Sequence, residues 1–256
     1  MLLKNKTAVV YGAGGKIGGA VARAFAREGA KVFLAGRSLP ALDAAVLEIA
    51  ATGGTAEAAL VNALDPDAVT KHLDTIVEEA GRIDISFNAI GIRGDLQGTP
   101  LLQMPLADFT TPVLTGIQTH CLTATAAARY MVQQNSGVIV TLSSSASRLS
   151  GRDRRFHSTG GFAVACAAIE TFSHCLAGEI GPQGVRVVCL RPDAIPETWS
   201  GVASDAPVKA YMEQGTVLGR LPRLEEVANT AVFLASDWAG AITGATANVT
   251  CGSVMN

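Results

Sequence analysis

A glycine-rich turn near the N-terminus constrains the fold of this chain more than any other feature. The β-forming run Thr7–Tyr11 leads directly into GAGGKIG at positions 12–18, and apolar residues then recur at helical spacing until Gly29. A strand, a tight turn and a helix in this order begin a βαβ unit. The glycines let the backbone approach a phosphate group, and the free N–H groups at the start of the helix attract an anion. The turn therefore predicts an α/β fold with a phosphate-binding end, although a glycine turn without a ligand has the same sequence.

The rest of the chain repeats this alternation of strands and helices. The predicted strands are Thr7–Tyr11, Lys31–Ala35, Ala56–Val61, Ile83–Phe87, Gly137–Leu142, Val185–Leu190 and Thr246–Thr250. The predicted later helices are Ala41–Ala51, Asp67–Ala80, Leu106–Gln133, Gly161–Gly178 and Leu224–Ser236, and we expect Pro112 to kink or break the third of these. Strands that are almost continuously apolar suit a parallel sheet covered on both faces. We therefore predict one Rossmann-type domain over residues 1–256, a doubly wound seven-stranded parallel sheet, with an aperiodic surface excursion at about 192–221 that could cover a site.

Composition excludes several other classes of protein. The chain has 256 residues, of which 48% are hydrophobic and 16% charged, so it is neither disordered nor a coiled coil. Its formal net charge of −2 gives no basic field for nucleic acid. No apolar run reaches the length of a membrane span, the histidines have no metal-ligand spacing, and the five cysteines form no C-x-x-C pair. We expect a cytoplasmic protein with reduced thiols, no metal, and no nucleic-acid or membrane partner.

The end of the second strand indicates which dinucleotide the turn would bind. A site that prefers NAD usually has an acidic residue there, which binds the ribose hydroxyls. This chain has Gly36 and then Arg37, and Lys16 adds positive charge nearby. Since a guanidinium pairs well with a 2′-phosphate, we predict NADP(H) rather than NAD(H). The alternative is that Arg37 is a solvated loop charge.

Several motifs in the same order resemble the short-chain dehydrogenase/reductase family over essentially the whole chain. Residues 84–91, DISFNAIG, resemble the family's fourth strand and its signature, and residues 139–144, IVTLSS, resemble the fifth strand ending at the catalytic serine. The glycine spacing departs from the classical pattern, because Lys16 stands where a second glycine is usual, and Gly12, Gly15 and Gly18 fit the spacing of extended members. Asn62 stands where the family usually has an aspartate against the adenine. The turn, Arg37 and the resemblance together give the predicted cofactor-binding residues Gly12, Gly15, Lys16, Ile17, Gly18, Arg37, Asn62, Asn88, Gly91, Pro192 and Thr198.

The same resemblance implies that the usual proton-transfer residues are replaced. Ser144 keeps the position of the serine that holds the substrate oxygen. Phe162 stands at the tyrosine position, Cys166 at the lysine position and Gly116 at the asparagine position. A phenyl ring cannot donate a proton, and the loss of a positioned acid alone costs about 10²–10⁴-fold in rate. Cys166 lies in an apolar helical stretch without an adjacent base, so we expect it to be a packing residue rather than a nucleophile.

The segment between Ser144 and Phe162 could supply a substitute. It contains Arg148, Arg152, Asp153, Arg154, Arg155 and His157. One hypothesis is that His157 donates the proton while an arginine holds an anionic substrate. The alternatives are a solvated charged turn and a contact between subunits.

Two functions therefore remain open from the sequence. The first is a divergent NADP(H)-dependent oxidoreductase that acts on a small carbonyl or alcohol substrate with a non-standard proton donor. The second is a catalytically silent nucleotide-binding homologue that acts as a sensor, regulator or oligomer partner. The family resemblance also implies a homo-oligomer, a dimer or tetramer, formed through the helices predicted at Leu106–Gln133 and Gly161–Gly178.

Overall fold

The chain folds around a parallel sheet. The computed structural model describes residues 1–95, 97–152, 157–199 and 205–255. In this part of the chain one seven-stranded sheet has the strand order β3-β2-β1-β4-β5-β6-β7, with every pair parallel. The strands are β1 (Thr7–Tyr11), β2 (Lys31–Gly36), β3 (Thr55–Leu60), β4 (Ile85–Asn88), β5 (Gly137–Leu142), β6 (Val185–Pro192) and β7 (Ala245–Val249). The predicted fold class is confirmed, and each predicted strand lies within two residues of its observed bounds.

Helices cover both faces of the sheet. They are α1 (Lys16–Arg27), α2 (Leu39–Ala51), α3 (Pro66–Ala80), α4 (Leu106–Gln134), α5 (Ala146–Leu149), α6 (Gly160–Ile180), α7 (Asp205–Gln214) and α8 (Leu224–Ala235). Short 3-10 turns lie at Leu101–Gln103, Gly181–Gln183, Pro196–Thr198 and Asp237–Ala239. Successive residues of β1 point to opposite faces, so Val10 packs with α1 and α8, whereas Tyr11 packs with α3 and α4. All parallel strands end at one edge, and the glycine turn after β1 lies at that edge.

The sequence predicts that Pro112 kinks or breaks helix α4, and the break is wrong because α4 continues through this residue. Proline removes one backbone donor and obstructs a carbonyl one turn earlier. Here hydroxyl groups bond to carbonyls in that part of the helix: Thr111 Oγ1 donates to the carbonyl of Ala107 at 2.6 Å, and Thr110 Oγ1 to that of Leu106 at 3.0 Å. The proline is buried against α6, which holds the helix on both sides of it.

The segment predicted as an aperiodic excursion contains regular structure. The turn Pro196–Thr198 and the helix α7 both lie within 192–221, while residues 200–204 lie outside the described residues. Helix α7 has ten residues and a weakly apolar composition, which is why helical periodicity did not reveal it.

One stretch, Gly160–Gln183, is long and apolar enough to span a membrane by length and composition alone. Half of its most apolar window is buried inside the fold, against α4, β6 and α5. A core helix of a water-soluble fold passes the same test, so this property by itself is weak evidence for a membrane.

Candidate functional site

The glycine turn after β1 is built by two close backbone approaches. Gly12 has a φ of +74°, and a Cβ placed on it would lie 2.6 Å from the carbonyl oxygen of Ala89. A Cβ on Gly18 would lie 2.3 Å from the carbonyl oxygen of Gly12. No side chain fits at either position, so α1 packs directly onto the turn. Its first N–H groups consequently face the edge where the strands end.

A cleft of about 510 Å³ opens at this edge. Of the predicted cofactor residues, eight line it: Gly12, Gly15, Lys16, Ile17, Arg37, Asn62, Gly91 and Thr198. The cleft continues from the glycine turn past the ends of β2, β3 and β4 to α4, where Thr115 and Thr119 line it. Two glycine-defined close approaches and an elongated cleft beside a helix N-terminus fit a dinucleotide.

Three predicted cofactor residues support the cleft from behind instead of lining it. Gly18 makes the close approach already described. Asn88 is buried, donates from Nδ2 to Thr123 Oγ1 at 2.9 Å, and accepts from the N–H of Ile90 at 2.9 Å. Pro192 is buried at the end of β6 and pairs with Val249 of β7. Asn88 therefore fixes the end of β4 against α4, and Pro192 anchors the start of the segment that leads to Thr198.

The charged side chains lining the cleft in the described part of the chain are Lys16 and Arg37. Arg37 is exposed at the end of β2. Lys16 has a different geometry, because its ammonium donates to the carbonyl oxygens of Glu197 at 2.7 Å and Trp199 at 3.2 Å. Arg37 is therefore an exposed cation lining the cleft, whereas the Lys16 ammonium is bonded to the segment around Thr198.

Asn62 lies at the position where the predicted adenine contact falls, just beyond β3. Its Oδ1 accepts from the N–H of Leu64 at 3.3 Å, which is a long hydrogen bond. Asn62 lines the cleft, and its Nδ2 group is a hydrogen-bond donor. Asn62 thus offers a donor where a carboxylate would offer an acceptor.

Four neighbouring serines follow β5, and the structure distinguishes Ser144 from the others. Ser143 Oγ and Ser147 Oγ both donate to the Glu170 carboxylate. Ser145 Oγ donates to Asp193 at 2.7 Å. Ser144 Oγ accepts from the N–H of Ala146 at 3.3 Å, which leaves its own hydrogen for a substrate oxygen.

A buried ion pair that sequence reasoning missed holds this serine-rich turn in place. Glu170 on α6 and Arg191 on β6 form an ion pair at 2.9 Å, and Arg191 is fully buried. Arg191 Nε also donates to Asn248 Oδ1 at 2.7 Å. Glu170 thus links β6, α6 and the turn after β5. Its one sequence signal is a carboxylate within an otherwise apolar helical run, and that signal does not identify the partner.

The residues at the family's tyrosine and lysine positions lie on the first turns of α6. The Phe162 ring is half-buried and lies 3.9 Å from a Cβ placed on Gly94. Cys166 is buried, and its thiol lies near the backbone of Ser144. Burial and the neighbouring carboxylate of Glu170 raise the pKa of the Cys166 thiol to about 12. The thiol therefore stays protonated at neutral pH, as expected of a packing cysteine.

Gly116 lies on α4 and faces α6 beside Ala165. A Cβ placed on it would lie 3.0 Å from Ile92 Cδ1 and 3.3 Å from Ala165 Cβ. Its carbonyl oxygen is bonded by His120 Nδ1 at 2.9 Å and by Thr119 Oγ1 at 3.2 Å. Burial lowers the pKa of His120 to about 4, so this imidazole is neutral and acts as a structural donor. Apolar side chains and internal hydrogen bonds thus occupy the space around Gly116.

His157 lies on the other side of the serine-rich turn, under α7. Its ring is buried and lies 6.0 Å from the ring of Tyr211. These two residues share a small cavity of about 10 Å³ with Arg152 and Asp193, and none of them lines the larger cleft. The Arg152 guanidinium lies 3.3 Å from a Cβ placed on Gly215, just past the C-terminus of α7, where a helix carries partial negative charge. The structure therefore places Arg152 and His157 against α7.

The other charged residues of this segment are dispersed. Arg148 is more than half exposed and lies 3.8 Å from Glu170. Asp153, Arg154 and Arg155 lie outside the described residues. Among the described residues, no group of three or more His, Cys, Asp or Glu side chains is placed to hold a metal. All five cysteines are unpaired.

Comparison with known proteins assigns the chain and its fold to a family. Residues 12–253 match the family model described as enoyl-(acyl carrier protein) reductase. The chain belongs to the short-chain dehydrogenase/reductase family. A 3-oxoacyl-[acyl-carrier-protein] reductase of Synechocystis sp. is 33% identical over 99% of this chain and 98% of its own. The L-rhamnose 1-dehydrogenase (NAD(P)(+)) of Azotobacter vinelandii is 34% identical over 100% of this chain and 99% of its own.

A solved structure agrees with this membership. The crystal structure of a short-chain type dehydrogenase/reductase from Mycobacterium marinum superposes with a TM-score of 0.87 at 32% identity, covering 99% of this chain and 97% of that one. The family resemblance is therefore confirmed, together with the coarse function of a short-chain dehydrogenase/reductase-type, NAD(P)-binding oxidoreductase.

Proposed function

We propose that this protein is an NADP(H)-dependent oxidoreductase that interconverts a small carbonyl compound and its alcohol with a non-standard proton donor. The observation that carries the proposal is the combination of an elongated cleft at the glycine turn with the free Ser144 hydroxyl at the end of β5, on the same edge of the sheet. When bound, NADP(H) supplies or accepts the hydride. Relatives named for a 3-oxoacyl carrier-protein ester and for L-rhamnose are consistent with a carbonyl or alcohol substrate.

The preference for NADP(H) rests on Arg37. Its guanidinium is exposed in the cleft, and the residues lining the cleft in the described chain include no carboxylate to repel a 2′-phosphate. A planar guanidinium forms paired, charge-assisted hydrogen bonds to phosphate oxygens. The adenosine 2′-phosphate would therefore lie beside Gly36 and Arg37 at the end of β2.

An Arg37→Ala variant tests this preference. Because the lost bonds are charge-assisted, we expect NADPH affinity to fall about 10-fold or more while NADH affinity stays unchanged. Titration calorimetry with each nucleotide measures both values, and Arg129→Ala, an exposed residue of α4, is the matched control. An unchanged ratio of NADPH to NADH affinity would show that the proposed NADP preference is wrong.

Ser144, Phe162 and Cys166 differ in what they can donate to the substrate oxygen. Ser144 can donate one hydrogen bond to that oxygen and so polarise a carbonyl. Phe162 has no hydroxyl, and the Cys166 thiol, with its pKa raised to about 12 by burial, is a poor acid. We infer that the proton comes from outside these two positions.

His157 is the imidazole in the segment between Ser144 and Phe162, and we consider it as the proton donor. Because it lies under α7 beside Tyr211 and does not line the cleft, a proton from it would pass through Tyr211, Ser144 or water. A His157→Gln variant tests it by the pH profile of kcat. A changed profile supports His157, and a profile and kcat equal to those of the parent rule it out in favour of a proton from solvent.

The exposed guanidinium of Arg148 favours an anionic substrate for the proposed oxidoreductase. Arg148 is 57% exposed, and its only ion pair in the described chain is the long one to Glu170. An Arg148→Gln variant is expected to raise KM for carboxylated or phosphorylated substrates and to leave KM for neutral substrates unchanged.

The tight packing around Gly116 favours a second candidate function, that of a catalytically silent nucleotide-binding homologue. Ile92 and Ala165 fill the space in which an asparagine side chain would lie, and His120 and Thr119 occupy the Gly116 carbonyl. A Phe162→Tyr/Cys166→Lys variant distinguishes the two functions. If only this variant, and not the parent, reduces members of a carbonyl panel although both bind NADPH, the silent function is correct.

A further inference from the structure

The side chain of Lys16 joins the start of α1 to the segment around Thr198, and both line the same cleft. Its Nζ donates to the carbonyl oxygens of Glu197 and Trp199, at 2.7 Å and 3.2 Å. These carbonyls flank Thr198, whose side chain lines the same cleft as Lys16. The lysine belongs to the first turn of α1, and the carbonyls belong to the segment that follows β6. The bridge therefore connects the glycine turn to the segment that would face the nicotinamide half of a bound dinucleotide.

The position of Lys16 in α1 explains why its ammonium turns away from its own helix. It is the first residue of α1, where the free N–H groups carry partial positive charge, and the first turn contains no acidic side chain. A cation is disfavoured there. At the end of the 3-10 turn Pro196–Thr198, carbonyl groups offer partial negative charge instead. The ammonium is consequently better placed on these carbonyls than against α1.

The same 3-10 turn is fixed on its other side. Glu197 Oε1 accepts from the N–H of Leu224 at 3.1 Å, at the start of α8. Within the turn, both the N–H and the hydroxyl of Thr198 donate to the carbonyl of Ile195, at 2.9 Å and 2.7 Å. The turn is thus hydrogen-bonded internally and to α8, and the Lys16 ammonium bonds it to α1.

We propose that Lys16 is a positioning residue that holds residues 196–199 against α1 and so sets the placement of Thr198 over the cofactor cleft. A glycine, usual at this position of the turn, could not form this bridge. The consequence for the ligand rests on the proposed NADP(H) function, whereas the bridge itself is a property of the protein without ligand. We expect the cofactor to dissociate more slowly from the parent protein than from a variant without the bridge, because the bridge holds residues 196–199 in place beside the cleft.

Fluorescence of Trp199 tests the bridge without any cofactor. The chain has two tryptophans, and Trp238 is 77% exposed in the turn after α8, so a Trp238→Phe background leaves Trp199 as the sole reporter. In that background we expect Lys16→Met to raise the acrylamide quenching constant of Trp199 roughly 2-fold or more, since one net hydrogen bond shifts an opening equilibrium by about 2- to 10-fold. Lys16→Arg, which keeps a cationic donor, should stay close to the parent.

Lys71→Met provides the matched control, because Lys71 is an exposed lysine of α3 away from the cleft. It should leave the quenching of Trp199 unchanged. Equal quenching in the Lys16→Met and parent proteins would overturn the proposal. Lys16 is itself exposed, and circular dichroism of each variant confirms that any change in quenching comes from a folded protein.

Ligand kinetics separate positioning from a simple phosphate contact. We expect Lys16→Met to release NADPH roughly 2- to 10-fold faster in stopped-flow measurements, with unchanged affinity for adenosine 2′,5′-bisphosphate, which does not reach the 196–199 turn. Equal weakening of both ligands would identify Lys16 as a phosphate contact and overturn the positioning role. If neither nucleotide binds, the proposed function fails, while the quenching experiment still decides on the bridge.

Discussion

At the scale of single residues, buried polar groups without partners make this protein sensitive to acid. The two ring nitrogens of His72 and the hydroxyl of Tyr11 are buried and have no hydrogen-bond partner, and the two rings meet edge to face at 6.3 Å. Burial lowers the pKa of His72 to about 4. The unfolded chain takes up this proton below about pH 6.5, but the folded chain does so only near pH 4. Stability contributed by the neutral imidazole is therefore lost as the pH falls from 6.5 to 4.

A His72→Leu variant should remove this part of the pH dependence. At pH 5 we expect it to gain about 2 kcal/mol in unfolding free energy relative to the parent, beyond any difference at pH 7.5, because 1.4 kcal/mol corresponds to one pKa unit. Urea unfolding at both pH values measures the effect. His174→Leu, an exposed position of α6, is the control. A gain that is the same at both pH values would contradict the titration argument.

Some site residues could be predicted from sequence because their roles are local. The glycines of the turn and Arg37 belong to one βαβ unit, so the sequence spacing was enough to place them at the same cleft. Glu170 and Arg191 lie on different elements and meet only after β6 joins the sheet. The bridge of Lys16 to Glu197 likewise needs the complete fold, and sequence reasoning assigned Lys16 to the phosphate end. Periodicity and motifs therefore do not reveal contacts between residues that are far apart in the sequence.

At the scale of elements, the crossing of α4 and α6 depends on one glycine. A Cβ on Gly161 would lie 2.0 Å from the carbonyl oxygen of Phe109 and 3.0 Å from Pro112 Cγ. Gly161→Ala would therefore force the two helices apart, and we expect a loss of about 3 kcal/mol or more in unfolding free energy, comparable to other core overpacking. Phe162 and Cys166 would move with α6, so the region beside Ser144 would be disturbed as well.

Gly181, at the end of the same helix, provides the matched control for this prediction. A Cβ there meets no atom within 4 Å, and its φ of −57° and ψ of −42° are ordinary helical values. Gly181→Ala should therefore stabilise the protein by about 0.4–1 kcal/mol, because alanine has less freedom than glycine in the unfolded chain. Urea unfolding of both variants gives the comparison, and a Gly161→Ala protein as stable as the parent would show that the helices accommodate the methyl group.

Elements with strong apolar periodicity could be predicted to within a few residues, whereas two features of the helices could not. Pro112 is normally incompatible with a helix interior, and only the hydroxyls of Thr110 and Thr111 and the packing against α6 reveal why α4 continues. Helix α7 is stabilised by contacts from outside itself, Arg152 beside its C-terminus and His157 beside Tyr211. Tertiary contacts therefore explain both the continuity of α4 and the formation of α7.

At the scale of the whole molecule, the exposed face of α6 carries small, uncharged side chains over most of the helix. Its exposed residues include Val164, Ala167, Thr171, Cys175 and Gly178, at the spacing of one helix face. Leu114 on the neighbouring α4 is 53% exposed. Such a face explains why Gly160–Gln183 resembles a membrane span by composition. We propose that a second copy of the chain covers it, which makes the protein a homo-oligomer.

A charge placed in this face should separate the subunits. We expect sedimentation velocity to give a dimer or tetramer for the parent and a smaller species for Val164→Arg, because an unpaired guanidinium cannot be buried in an apolar interface without a large cost. Leu47→Arg is the control, since Leu47 is 70% exposed on α2, at a distance from α4 and α6. A parent protein that sediments as a monomer at every concentration would contradict the proposal. A parent that partitions onto lipid vesicles would instead assign the α6 face to a membrane surface.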